Sequence, residues 1–437
     1  MSQPEPRRDP QERRCRVLTA AVEEFARSGY ARASTNRMAQ RARVAKGLIF
    51  HYFGSKQALY EAALDEAWRL IFAPARESLP ADPFQRLEVV VAQRARRLQT
   101  HPDHARLLAQ VLGQSPRILG GASLVRLQSA LGQRRAAFRA GLDLRAFRPD
   151  ISPAMATDLV DLVAEGLEIT LLQDFGPSRG TTRLAPCALE ERLRGISALL
   201  RKGIYQPGRP AVPRPRQAWN PEAFIALPAQ LLPPTGAQDH RRDRILHAAQ
   251  KLFASRGYDG VSAEAIAEEA GVAKGLIFHY FGSKAGLYLA AVGDAHTRIS
   301  TAFFQDLPPP PPDLLHRIYV WSQRKIQIFG ASPTLYRLVL AAFASPPEDV
   351  RPALEAYAVQ GLAKGWSLLL EGVDTSPFRP EVPPARALEL VMLVVDTLTN
   401  RLMIRLTSGP EQSLEELPRI LQEVGQYLEL LRDGLGP

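Results

Sequence analysis

The chain has 437 residues, which is too many for one compact helical domain, and its length alone predicts about three domains. Its hydrophobic content of 46% is that of an ordinary globular protein and excludes wholesale disorder. All of its apolar runs are far shorter than the roughly 18 residues that span a bilayer, which argues against a membrane partner. The two cysteines, Cys15 and Cys187, give neither a disulfide framework nor a zinc cluster, as is usual in a reducing cytoplasm.

The formal net charge of +10 is distributed unevenly along the chain. Residues 1–205 contain 32 Lys and Arg against 21 Asp and Glu, whereas residues 241–437 contain 20 against 22. The first part therefore carries a charge of +11 and the last part a charge of −2. A basic half beside a near-neutral half predicts an anionic partner for the first half, and nucleic acid is the leading candidate.

The sequence contains an internal repeat. Residues 44–56 recur without a change at 272–284, an offset of 228. The Phe-Arg-Pro triplet at 147–149 matches the one at 378–380, which extends a weaker repeat at an offset of 231. One segment of about 200 residues is therefore present twice, and such a repeat must be recognised before the fold is assigned. Between the copies, residues 206–240 are dense in proline, which predicts an extended tether.

Each copy has the apolar spacing of helices; we call residues 13–205 the first copy and residues 241–437 the second copy. Leu18 and Phe25 stand at i and i+7 of the first helix, and Gly29 ends that helix. Later segments keep a helical spacing of apolar residues without the period-two alternation of strands. The predicted fold class is therefore all-α.

The repeated block has the order of a helix-turn-helix. Ser34 can cap a helix whose buried face consists of Met38, Ala39 and Ala42. A turn and a second short helix follow. In DNA-binding proteins of this kind, the second helix enters the major groove.

The second helix is predicted to contribute Ile49, Phe50 and Phe53 to the core. The turn before it holds Arg43 in the first copy and Gly271 in the second. A left-handed backbone at this turn costs glycine least, and it would cost Arg43 roughly 1–2 kcal/mol. A contact from Arg43 to a DNA phosphate would recover part of that cost.

The residues of this block carry a family resemblance. They are Phe25, Gly29-Tyr30, Ser34-Thr35, Met38-Ala39, Ala42, Val44-Ala45-Lys46-Gly47, Phe50-His51-Tyr52-Phe53, Ser55-Lys56 and Leu59. The pattern resembles the N-terminal DNA-binding domain of the TetR family of transcriptional regulators. The second copy fits at least as well, because glycine stands at its turn.

The resemblance implies two tandem TetR-like units, each with a three-helix helix-turn-helix domain and a helical domain that binds a ligand and pairs with its partner. The predicted DNA-binding domains are 13–60 and 241–288. The predicted ligand-binding and pairing domains are 61–205 and 289–437, and the proline-rich linker is 206–240.

By this resemblance, some residues face bases in double-stranded DNA and others hold phosphates. In the first copy the base-facing residues are Ala45, Lys46, Gly47, Leu48 and His51. The phosphate-binding residues are Ser34, Thr35, Tyr52 and Lys56, to which the turn adds Arg43. In the second copy the equivalent residues are Ala273, Lys274, Gly275, Leu276 and His279 for bases, and Ser262, Tyr280 and Lys284 for phosphates. Identical reading helices predict two similar half-sites.

The two DNA-binding copies differ in charge. Residues 30–56 hold six cations and no acid, a charge of +6, whereas residues 258–284 hold two cations and four acids, a charge of −2. Because phosphate attraction dominates affinity for DNA, the first copy is expected to bind it more tightly.

By the same resemblance, the last two helices of each copy pack into a four-helix pairing interface. The candidates are 153–175, 188–205, 384–407 and 413–434. Since one chain holds both copies, we expect a monomeric pseudo-dimer. Family members are more often repressors, and an unknown small-molecule effector in a helical domain would change the spacing of the reading helices.

Two other classes of function remain open. In a protein-interaction module, one DNA-binding copy would have lost its affinity for DNA, and the acids of the second copy motivate that alternative. The other class is an enzyme, but the sequence shows no serine or cysteine nucleophile with an identifiable base partner. We also expect no cofactor. His101 and His104, three residues apart on a predicted helix, lack the further ligands of a metal site.

Overall fold

The computed structural model describes residues 9–73, 78–112, 120–175, 186–203, 240–305, 310–344, 346–347, 349–356, 369–408 and 417–434. Every regular element that these residues form is an α-helix, apart from one short 3-10 helix at Leu144–Ala146. The predicted all-α fold class is therefore confirmed. Of the predicted linker 206–240, all but His240 lies outside the described residues.

The first copy contains nine helices in its described part. They are α1 (Pro10–Arg32), α2 (Thr35–Ala42), α3 (Lys46–Phe53), α4 (Lys56–Ile71), α5 (Pro83–Thr100), α6 (Pro102–Leu112), α7 (Gly120–Arg139), α8 (Pro153–Gln173) and α9 (Pro186–Lys202). Helix α1 packs against α2, α4 and α6. Helix α4 runs past the boundary predicted at residue 60, so one rigid element joins the DNA-binding domain to the helical domain.

The second copy repeats this order over the residues described. Its helices include α10 (His240–Arg256), α11 (Ala263–Ala270), α12 (Lys274–Phe281), α13 (Lys284–Phe304), α14 (Leu314–Ala331), α15 (Pro333–Ala344), α16 (Pro384–Ser408) and α17 (Leu417–Asp433). In the described part of the chain, no single helix is both long and apolar enough to cross a membrane. The pair Leu314–Ala331 and Pro333–Phe343 together reaches that length and composition, but it bends by 113°.

Local signals in the sequence explain how α1 ends and how α2 begins. Gly29 leaves helical geometry at a φ of 67° and bends α1 near its end, as its position predicts. The Ser34 hydroxyl accepts a hydrogen bond from the backbone N–H of Arg37 at 3.4 Å, which confirms the predicted cap of α2. Three side chains of α2 are buried as predicted. They are Met38, Ala39 and Ala42.

A buried arginine holds the helical domain of each copy together. The guanidinium of Arg86 donates to the carbonyl oxygens of Pro80 at 2.6 Å and Phe138 at 2.7 Å. Arg317, its counterpart at an offset of 231, donates to Pro311 at 2.7 Å and Leu369 at 2.9 Å. The helical domains therefore repeat the same internal contacts, although their sequences match only faintly.

The chain divides into two compact units. The first comprises Met1–Gly113, Gly121–Leu144 and Ala164–Arg194, and the second comprises Gln114–Gly120, Arg145–Val163 and Gly195–Pro437. The second unit therefore includes the start of α8 and the end of α9 from the first copy, together with the whole second copy.

Candidate nucleic-acid interface

The turn that precedes each reading helix has a left-handed backbone. Arg43 has φ 54° and ψ 49°, and Gly271 has φ 62° and ψ 44°. The backbone N–H of the next residue, Val44 or Val272, donates to the carbonyl oxygen five residues earlier at 3.0 Å in both copies. The two turns thus have the same geometry, and only the first places a side chain at a position that favours glycine.

The reading helices α3 and α12 share their sequence and their pattern of exposure. The residue at their centre, Ile49 or Ile277, is fully buried, as predicted. The predicted base-facing residues fall on the other side. Those exposed are Ala45, Lys46, Gly47 and His51, with Ala273, Lys274, Gly275 and His279, and those half-buried are Leu48 and Leu276. Each helix therefore presents one continuous face on which a groove of DNA could lie.

The prediction that Phe50 belongs to the core is wrong. Its side chain is 40% exposed, and its counterpart Phe278 is 43% exposed. In an α-helix, the residue after a buried one lies about 100° around the axis, so the neighbour of Ile49 turns away from the core. Phe53 is half-buried and lies beneath the guanidinium of Arg14 at 5.1 Å. The exposed phenylalanine is a candidate contact residue that sequence reasoning missed.

The predicted phosphate-binding residues flank this face. Ser34 and Thr35, at the start of α2, are half-buried, as is Tyr52, whose ring lies 5.5 Å from that of His51. Lys56 is the first residue of α4, and its ammonium lies 4.9 Å from the centre of the Tyr30 ring. In the second copy Ser262 is exposed and caps α11, and the rings of His279 and Tyr280 lie 5.1 Å apart. Lys284 lies 4.4 Å from the Tyr258 ring.

A buried carboxylate anchors α2 in the first copy. Glu24 of α1 accepts a hydrogen bond from Arg37 at 2.5 Å and one from the backbone N–H of Ser34 at 3.1 Å. Burial would raise the pKa of the Glu24 carboxyl, but these hydrogen bonds and the charge of Arg37 outweigh it and lower the pKa. Arg41 also lies 3.6 Å from Glu23. Arg37 and Arg41, two cations counted in the first copy, thus pair with acids of the protein itself.

In the second copy an acid pairs with a reading residue. The ammonium of Lys274 contacts the carboxylate of Glu264, and that hydrogen bond lowers the pKa of Glu264. Asn36 stands at the equivalent position in the first copy and brings no charge toward Lys46. A second acid, Glu269, pairs with Lys251 at 2.6 Å. One of the four acids that distinguish the second copy therefore lies beside the reading helix itself.

The described residues contain no group of three or more His, Cys, Asp and Glu side chains that could hold a metal ion. His101 and His104 do not share a helix, contrary to the prediction. His101 follows the last residue of α5 and His104 lies in α6, with their rings 5.8 Å apart. Pro102 separates the two because it begins a new helix.

Comparison with known proteins matches the helix-turn-helix part of both copies. The model of the family "Bacterial regulatory proteins, tetR family" matches residues 17–63 and again residues 245–291. The HTH-type transcriptional repressor KstR of Rhodococcus jostii is 30% identical over 169 residues, which is 38% of this chain and 77% of that protein. The HTH-type transcriptional activator FasR of Mycolicibacterium smegmatis is 42% identical over 55 residues, 13% of this chain and 25% of that protein.

Among solved structures, a TetR-like transcriptional regulator from Rhodococcus sp. RHA1 aligns with a TM-score of 0.32 and 16% identity. The alignment covers 43% of this chain and 93% of that one. The relatives described by name are transcriptional regulators, both a repressor and an activator. On the two family matches and the similarity to KstR, this chain belongs to the TetR family of bacterial regulatory proteins, with the family's DNA-binding domain present twice.

Proposed function

We propose that the chain is a ligand-responsive transcriptional regulator, acting as a repressor, that reads a near-palindromic operator as an intramolecular pseudo-dimer. The observation that carries the proposal is the identity of α3 and α12 in sequence, turn geometry and exposed face. Two identical readers bind two similar half-sites. In a dimer of this kind the half-sites lie about 34–36 Å apart, or a multiple of that, along the duplex.

Reciprocal contacts in the second compact unit support pairing of the two copies. Arg148 donates to the carbonyl oxygen of Asp433 at 3.4 Å, and Arg379 donates to that of Lys202. Arg379 is the counterpart of Arg148 at an offset of 231, and Asp433 is the counterpart of Lys202 at the same offset. A reciprocal exchange of this kind is the mark of a two-fold interface between like partners.

The ends of α9 and α17 meet backbone to backbone within the same unit. Gly203 and Gly434 have φ values of 79° and 83°. A Cβ atom added to Gly203 would lie 2.5 Å from the backbone nitrogen of Gly434, and one added to Gly434 would lie 2.4 Å from that of Gly203. Both positions therefore require glycine twice over, for their backbone conformation and for the close approach.

A cleft in the first copy is the site at which we propose that an effector acts. It is open to solvent and lies among α4, α5 and α7. Its walls include Phe72, Phe138 and three arginines. Of these, Arg94 lies 4.0 Å from the Phe72 ring, and Arg134 pairs with the buried Glu168 at 2.7 Å. Apolar walls with several arginines suit an amphiphilic ligand that carries a negative charge.

Helix α5 connects this cleft to the DNA-binding domain. Arg94 donates to the carbonyl oxygen of Ile71, at the end of α4, and α4 begins beside the reading helix. A ligand that moves Arg94 would therefore act on the helix that positions α3. We propose this shift of α4 as the route by which the effector changes the spacing of the readers.

The proposal is tested by selecting bound sites from random DNA, followed by gel shifts on the selected operator. The Lys46→Ala/His51→Ala and Lys274→Ala/His279→Ala chains are compared with the wild type. We expect selection of a two-fold symmetric site, and each double variant should weaken binding by at least about tenfold, or 1.4 kcal/mol. If neither variant weakens binding, the assignment of the reading helices is wrong.

The second candidate function is a protein-interaction module, which the Lys274–Glu264 pair favours for the second copy. In that case only the Lys46→Ala/His51→Ala variant would lose binding, and the selected site would contain a single half-site. The symmetry of the selected DNA thus separates the two functions in one experiment.

A further inference from the structure

We infer that a buried ionic cluster in the pairing surface selects a first copy and a second copy as partners and disfavours pairs of like copies. The cluster consists of Asp158 and Asp161 of α8, Arg401 of α16 and Tyr427 of α17. All four belong to the second compact unit. The inference rests on the pairing part of the proposed function and is independent of its DNA-reading part.

In this cluster one guanidinium, that of Arg401, is shared by two carboxylates. Arg401 lies 3.4 Å from a carboxylate oxygen of Asp158 and 3.4 Å from one of Asp161. Tyr427 donates its hydroxyl hydrogen to Asp158. Asp161 is 0% exposed and Arg401 is 7% exposed, so water screens their interaction little.

Of the four residues in the cluster, only Asp158 has a counterpart of the same charge on the other side of the pairing surface, and that residue is Glu389. At an offset of 231, the position of Asp161 is taken by Met392, and that of Arg401 by Thr170. Tyr427 corresponds to Ile196. The reciprocal contacts of Arg148 and Arg379 obey the two-fold relation, whereas the ionic cluster breaks it.

This asymmetry decides which copies can pair. A pair of two first copies would bring Asp158 and Asp161 from both sides into the surface with Thr170 opposite, so four carboxylates would lose the partner that Arg401 supplies in the mixed pair. A buried charge without its partner is strongly unfavourable.

A pair of two second copies would place Arg401 against Met392, which carries no charge, and beside one carboxylate, that of Glu389, in place of the two that Asp158 and Asp161 supply. Glu389, the counterpart of Asp158, already pairs with Arg386 on its own helix at 2.7 Å. Like pairs are therefore penalised, and an element that repels the wrong partner is what makes an interface specific.

The test uses the full chain with a protease site inserted in the segment 206–239, folded first and then cleaved. The nicked protein is diluted until the halves separate and is then concentrated, and native mass spectrometry counts the pairs by mass. Random pairing would give about half mixed pairs, whereas selection should give more than about nine in ten. A mixture close to random would overturn the inference.

Variants link the selection to the cluster. Arg401→Met should weaken the mixed pair by at least tenfold, whereas Arg419→Met, which removes the exposed arginine of an ion pair on α17, should leave it intact. The exchange Asp161→Arg with Arg401→Asp should restore the mixed pair, which loss of packing alone would not permit. If Arg401→Met fails to fold, Tyr427→Phe, which removes one hydroxyl, should still weaken pairing several-fold. Failure of the exchange to restore pairing would contradict the inference.

The operator assay on the intact chain keeps this inference separate from the proposed function. If mixed pairs predominate but the intact chain does not bind the operator, the proposed function is wrong and the inference about the pairing surface stands. If the intact chain binds the operator but the halves pair at random, the proposed function stands and the inference is wrong.

Discussion

The ammonium of Lys274 pairs with the carboxylate of Glu264, which lies one helix earlier in the second copy. Lys274 has the same place on its reading helix as Lys46, and the two eight-residue helices are identical. What differs is the neighbour, because Asn36 replaces the acid in the first copy. The carboxylate of Glu264 is therefore the local difference between the two lysines: Lys274 pairs with it, whereas Lys46 faces no acid at the equivalent position.

We expect Glu264→Asn to strengthen operator binding by about threefold to tenfold. The change gives the second copy the neighbour that the first copy has. The charge of Lys274 is then no longer neutralised within the protein and adds to the charges that displace counterions from DNA, which should steepen the salt dependence by about one ion. Affinity is measured by fluorescence anisotropy over a range of salt concentrations. Glu268→Gln is the control, since it removes the same charge from α11 without touching Lys274. An equal gain in both variants would assign the effect to overall charge.

Phe50 is expected to contact the methyl group of a thymine. Its exposed ring shares a helix face with Lys46 and His51, and apolar contact with that methyl group is how a protein recognises thymine in the major groove. Replacing one operator thymine with deoxyuracil removes the methyl group, worth about 0.8 kcal/mol or fourfold when buried. The wild type should bind the deoxyuracil operator about fourfold more weakly than the thymine operator, whereas Phe50→Ala should bind the two equally. Phe278→Ala should behave likewise only for the opposite half-site. Equal sensitivity of the wild type and Phe50→Ala would exclude the contact.

The helix-turn-helix could be predicted from sequence because its signals are local. Ser34, the buried face of α2 and the turn at Arg43 each depend on a few adjacent residues, and the structure confirms them. The exposure of Phe50 was predicted wrongly because the apolar residues Leu48, Ile49, Phe50 and Phe53 lie around most of a short helix. In such a helix the hydrophobic pattern alone does not identify the buried face.

Long-range ion pairs were beyond the sequence. The link from Arg37 to Glu24 spans 13 residues, and that from Arg401 to Asp161 spans 240. Their partners are set by how helices pack, which residue spacing does not encode. Arg86 was missed for a related reason, since its acceptors are backbone carbonyl oxygens that have no sequence signature.

Glu24 is expected to make the stability of the first DNA-binding domain depend on pH. Its folded pKa lies below the ordinary 4.5, so its contribution is present above pH 4.5 and is lost as the pH falls through the folded pKa. Glu24→Gln should lower the melting temperature at pH 7, and its difference from the wild type should shrink toward pH 3. Glu12→Gln, an exposed change in the same helix, should show no such trend. A constant difference at all pH values would mean that Glu24 acts through packing rather than charge.

Arg43→Gly is expected to stabilise the fold and weaken DNA binding at the same time. The left-handed backbone at Arg43 costs a residue with a Cβ roughly 1–2 kcal/mol, and glycine removes that cost. The same change removes a cation next to the reading helix, so affinity should fall and the salt dependence should become shallower by about one ion. Thermal unfolding and salt-dependent anisotropy measure the two effects on one sample. Gly271→Arg is the reverse change in the second copy and should destabilise the fold while raising affinity. If Arg43→Gly gains stability at unchanged affinity, Arg43 does not bind phosphate, and the strain at this turn has no role in DNA binding.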